Sequence, residues 1–122
     1  NRHTPHTVFF NTAHIPEYID RQEELVLKKH FGRMGDAVVM GRLCKPRKWE
    51  DALVEAAARP GDYIVQQAFS PLPAYKHNSG VLYPALGVYL INGAFAGCYS
   101  RADASGFTTH EAYYAVTAVE TA

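Results

Sequence analysis

The sequence has little cysteine, no excess of charge of either sign and no long apolar run. Its two cysteines, Cys44 and Cys98, lie far apart with no paired histidine motif beside them. That excludes a secreted disulfide framework and a closed Cys/His zinc site. Both are expected to be buried thiols in a reducing compartment. Twelve basic and twelve acidic side chains cancel to a formal net charge of zero. No global field therefore gathers nucleic acid or an anionic membrane, and neither is expected as a partner. No stretch approaches the roughly 18 apolar residues of a membrane span, and no signal peptide is read. The chain is expected in the cytoplasm. It begins at Asn1, which fits an excerpt of something longer.

Familiar catalytic motifs are missing too. There is no G-x-x-x-x-G-K-[ST] phosphate loop and no G-x-S-x-G nucleophile elbow. His3, His6, His14 and His110 lack the matching Cys or His pair of a tetrahedral metal site, so no metal ligand is assigned.

What is present suits one domain. With 48% of 122 residues hydrophobic, residues 1–122 can bury a real core. An apolar run at Val8 to Phe10 precedes Pro16, which suits the start of a short helix. Leu25 to Lys29 and Ala37 to Gly41 flank a glycine-containing turn and read as a hairpin. Trp49, Ala52, Leu53, Ala56 and Ala57 recur at helical spacing, with Pro46 at the start and Pro60-Gly61 at the end. "DYIVQQAF" reads as a strand with Tyr63, Val65, Gln67 and Phe69 on one face. "SPLPAYKHNSG" reads as a loop stiffened by Pro71 and Pro73. "ALGVYLINGAFAGCYSR" reads as two strands joined at Asn92-Gly93, a pair suited to a type I′ turn. Glu111 to Val119 reads as a further strand. The order predicts an α+β domain with a mainly antiparallel sheet and one or two packed helices.

Three features carry candidate chemistry. In "LVLKKHFGRMGDAVVMG", Gly32, Arg33 and Gly35 form a turn just after Lys28 and Lys29. Glycine lets backbone N–H groups approach a phosphate closely, and a lysine adds a compact positive charge. A plain solvated turn has the same pattern. Adjacent strand residues face opposite ways, so only one of the two lysines reaches any one cleft. The amides of Gln66 and Gln67 suit an adenine edge or a ribose, or simply water. Arg101, at the end of an apolar strand, suits a bidentate clamp on a phosphoryl group or carboxylate, or a return to solvent.

The succession of lysine-ended strand, glycine flap, returning strand, helix, Gln-bearing strand and arginine-ended strand pair resembles the ATP-grasp fold. More closely it resembles the circularly permuted ATP-grasp proteins related to glutathionylspermidine synthase. "LVLKKHFGRMGDAVVMG", "YIVQQAFSPLP", "LGVYLINGAFAGCYSRAD" and "FTTHEAYYAV" carry the likeness, over about Glu24 to Val119. It implies the C-terminal part of an ATP-dependent carboxylate–amine ligase, which activates an acid as an acyl phosphate for attack by an amine. Lys28 or Lys29 would touch the phosphates beneath a flap of Gly32, Arg33 and Gly35. Gln66 and Gln67 would meet adenine and ribose, and Arg101 the transferred phosphoryl group. ATP and Mg are the implied cofactors, with the metal ligands outside this chain. The carboxylate and amine substrates are unspecified, and the isolated chain is expected to be inactive. The alternative is a degenerate module that binds nucleotide or a protein partner without catalysis. A third reading is an unrelated α+β domain.

Overall fold

Tryptophan, leucine and alanine at i, i+4 and i+7 give one helix an apolar stripe, and that stripe organises the first half of the chain. The computed structural model describes residues 4–32, 37–76 and 80–118. The chain forms two compact units, Asn1–Phe69 and Ser70–Ala122.

The first unit holds β1 (Thr7–Phe9), α1 (Ile15–Asp20), β2 (Leu25–Lys29), β3 (Val38–Met40), α2 (Pro46–Ala58) and β4 (Tyr63–Gln67). Its sheet runs β1-β4-β2-β3 with every neighbouring pair antiparallel. Pairing of Leu27 with Val65 and Lys29 with Tyr63 puts these four residues on one face. Leu25, Leu27, Tyr63 and Val65 there join Trp49, Leu53 and Ala56 of α2 in the core. Trp49 and Ala56 are fully enclosed, and the Trp49 Nε1–H donates to the Tyr18 carbonyl at 2.9 Å. That bond ties α1 to α2. Pro16 lies in the first turn of α1, where a missing N–H leaves no helical bond unmade. After β3 the backbone at Gly41 presses on the 3-10 turn Gln22–Glu24. A Cβ at Gly41 would overlap the Gln22 carbonyl, and the Gln22 amide donates to the Gly41 carbonyl at 2.8 Å.

The second unit is a sheet of order β5-β6-β7-β8, again wholly antiparallel: β5 (Ala74–Lys76), β6 (Gly80–Ile91), β7 (Ala94–Asp103) and β8 (Tyr113–Ala115). Asn92 and Gly93 join β6 to β7 with φ of 51° and 77°, the positive values a type I′ turn requires. Leu86, Val88, Leu90, Ile91 and Phe95 are all exposed on this hairpin, so its ladder contributes more than burial along that length.

The α+β class, the antiparallel pairing, the α2 helix and both hairpins match expectation. Three points differ. Ala74–Lys76 is a strand rather than loop, because it pairs with Gly80–Leu82 beyond the prolines. The expected strand over Glu111 to Val119 contracts among the described residues to Tyr113–Ala115, which pairs with Ser100–Ala102 of β7; Val119 lies outside the described residues. Cys44 and Cys98 are free thiols but only half-buried, not buried. Burial pushes the Cys44 thiol up, with nearby Lys48 opposing.

Leu53→Ala should destabilise the first unit by about 2–5 kcal/mol, since its side chain is enclosed. Val54→Ala, on the exposed face of the same helix, should change stability by less than about 0.5 kcal/mol. Urea unfolding of the two variants checks the orientation of α2; equal effects would contradict it.

Candidate functional site

The register of β2 against β4 sorts the lysines. Lys29 lies across from Tyr63 on the helix face, with its ammonium 5.7 Å from the centre of that ring. The Tyr63 hydroxyl donates to Glu55 at 2.8 Å, and burial together with that bond pushes its phenol up. Lys28 lies on the opposite face with Val26, whose cross-strand partner is Gln66. There the Lys28 ammonium donates to Gln66 Oε1 at 2.9 Å, and Gln66 Nε2 donates to Thr7 Oγ1 at 2.8 Å. The structure thus brings together Lys28 and Gln66, from two strands, with Thr7 from a third.

Lys28 is the penultimate residue of β2, and Lys29 ends the strand before the hairpin turn. Gly32 is exposed in that turn; Arg33 and Gly35 lie outside the described residues. Gln67 is exposed, and its backbone N–H donates to the His6 carbonyl at 2.8 Å. Its side chain borders a cleft of about 440 Å³ whose wall includes His6, Asn11, His14, Tyr18 and Leu25. Gln66 and Gln67 also border a recess with Thr4, Pro5, His6 and Thr7. On the rim of the 440 Å³ cleft, Arg21 pairs with Glu17 at 2.8 Å and Glu24 at 3.0 Å. Its charge is already met.

Arg101 belongs to the second unit. Its Nη2 donates to the Thr109 carbonyl at 2.8 Å and its guanidinium lies 5.2 Å from the Tyr114 ring centre. Its Nε is buried without a partner. Two residues on, the same strand carries Asp103, which no motif singled out. Asp103 is buried, and it accepts from the backbone N–H and hydroxyl of both Ser105 and Thr109. Arg101 and Asp103 thereby fasten the segment from Ser105 to Thr109 onto β7. A short Asp-x-Ser spacing is the sequence signal that would have pointed to it.

Among the described residues no helix is long and apolar enough to cross a membrane. Nor do they contain a group of three His, Cys, Asp or Glu side chains able to hold a metal ion. Comparison with protein families gives a match to the model described as "Glutathionylspermidine synthase preATP-grasp", over residues 1–120. The chain belongs to the glutathionylspermidine synthase pre-ATP-grasp family. The match takes in both units, so the lysine-bearing sheet and the arginine-bearing hairpin are both family structure. No curated protein matches the chain.

Burial alone would raise the Asp103 pKa, but the four hydrogen bonds from Ser105 and Thr109 outweigh it and hold the carboxyl well below the usual range. A depressed folded pKa contributes stability that is fully present above the unfolded value of about 3.9 and is lost as pH falls through the folded value. Acid unfolding monitored at Tyr113 and Tyr114 should show this loss, and Asp103→Asn should flatten it while lowering stability at neutral pH. An unchanged acid limb in the variant would contradict the assignment.

Proposed function

We propose that this chain is part of an ATP-dependent carboxylate–amine ligase, the C-terminal portion of a circularly permuted ATP-grasp domain in a larger cytoplasmic protein. The carrying observation is the Lys28 ammonium, held one residue before the end of β2 on the face that carries Gln66 and paired with no carboxylate among the described residues. A lysine in that condition keeps its positive charge for an anion. Family membership supports the same reading.

On this reading Lys28 contacts the phosphate chain of ATP, and Gly32, Arg33 and Gly35 are assigned to the same phosphates. Gln67, at the recess it shares with Gln66 and Thr7, meets adenine or ribose. Gln66 lies within reach of the same ligand. Lys29 is directed at Tyr63 and serves the helix face. Arg101, steadied by Thr109 and Tyr114 within the second unit, is the cation assigned to the phosphoryl group in transfer. The carboxylate oxygen of the acid substrate attacks the terminal phosphorus and ADP leaves. The amine then attacks the acyl carbon and phosphate leaves. Fixed cations stabilise charge that develops during the first step. The described residues contain no cluster that fits Mg, so no step is assigned to it here.

Titration calorimetry and steady-state kinetics on the intact protein test this. Lys28→Ala should weaken ATP binding roughly ten- to a hundredfold, the range of a charge-assisted hydrogen bond. Lys29→Ala should leave binding near wild type. Arg101→Ala should lower kcat with little change in KM, as expected for an interaction strengthened in the transition state. The 122-residue chain alone should show no ligase turnover. Wild-type binding and turnover in both Lys28→Ala and Arg101→Ala would overturn the proposal. Binding without turnover in the intact protein would make it a nucleotide-binding module.

A further inference from the structure

We propose that Gln66 is a positioning residue: braced by Thr7, it presents its carbonyl to Lys28 and holds that ammonium ready for phosphate. The inference rests on the nucleotide reading above and assigns to Gln66 a role in orienting the lysine rather than in reading a base.

Donor direction fixes the arrangement. An ammonium only donates, so the Gln66 amide must turn its oxygen toward Lys28, where the separation is 2.9 Å. Its NH₂ is then left needing an acceptor on the other side, and the Thr7 hydroxyl supplies one at 2.8 Å. The Thr7 hydroxyl proton is in turn directed to the Pro5 carbonyl at 3.0 Å. Every donor from Lys28 through Gln66 and Thr7 to Pro5 points the same way, so reversing one amide would break two bonds at once. The strand register allows this, because Thr7 pairs with Gln66 across β1 and β4 while Gln66 pairs with Val26, two residues from Lys28.

The chemistry of the partner matters as much as its position. Gln66 offers a neutral oxygen, which fixes the ammonium without cancelling its charge. Arg21, paired with two glutamates, shows the opposite case in the same unit. Lysine carries a long flexible stem whose freedom opposes binding, and a stem already ordered loses less on meeting an anion. Only one of its three N–H donors is shown committed to Gln66, leaving others for phosphate oxygens.

Thr7→Val tests the brace from a distance. It preserves shape and strand propensity but removes the acceptor for the Gln66 NH₂. In the intact protein, with magnesium ATP as the probe, its affinity should fall roughly three- to tenfold, the worth of one neutral hydrogen bond. Thr7→Ser should return affinity to near wild type. In a Lys28→Ala background Thr7→Val should add nothing, because its effect passes through the lysine. Gln66→Met, which removes the acceptor itself, should give the same non-additive cycle. Wild-type affinity in Thr7→Val and Gln66→Met, with Lys28→Ala weak, would overturn the brace and leave the nucleotide reading standing. Full additivity with Lys28→Ala would also overturn it, by showing a general structural effect. Wild-type affinity in Lys28→Ala would overturn both readings.

Discussion

The indole of Trp49 is wholly enclosed, and its N–H donates to the Tyr18 carbonyl while its ring packs in the core under the sheet. That single placement decides which face of β2 and β4 is core. With Leu25, Leu27, Tyr63 and Val65 directed at α2, the period of two along a strand sends Val26, Lys28 and Gln66 to the other side. The meeting of Lys28, Gln66 and Thr7 is therefore a consequence of where the tryptophan is buried. A slip of one residue in β2 would exchange the two lysines and take Leu25 and Leu27 off the face that packs on α2. Hydrophobic burial thus enforces the register on which the charge depends.

In the second unit polar bonding does the comparable fixing. Asp103 gathers four donors from Ser105 and Thr109, while Arg101 takes the Thr109 carbonyl. A buried carboxylate without such donors would be costly, and with them it makes a rigid anchor. The segment between β7 and β8 is thereby tied to the strand that bears Arg101, so the guanidinium is held from both its polar and aromatic sides.

Much of the fold was legible because its signals are local. The stripe of Trp49, Leu53 and Ala56 needs only helical spacing, and Asn92-Gly93 needs only the positive φ values of one turn. What escaped depends on partners distant in sequence. Ala74–Lys76 follows two prolines and becomes a strand only by pairing with Gly80–Leu82. The choice between Lys28 and Lys29 was open because parity along β2 is set by its pairing with β4, almost forty residues on. Gln66 and Gln67 take opposite faces through the same pairing, across from Val26 and Leu25. Asp103 was silent because its value lies in a loop closing back on it. Those are properties of contact, which composition and periodicity do not carry.

The central claim is that the Lys28 ammonium, on the face opposite α2, meets the phosphates of a nucleotide. A crystal structure of the intact protein with a non-hydrolysable ATP analogue tests it most directly. The account predicts phosphate oxygens within hydrogen-bond distance of Lys28 Nζ, with the Gln66 carbonyl still on the same ammonium and Lys29 still against the Tyr63 ring. A nucleotide bound elsewhere, with Lys28 touching only Gln66, would contradict it.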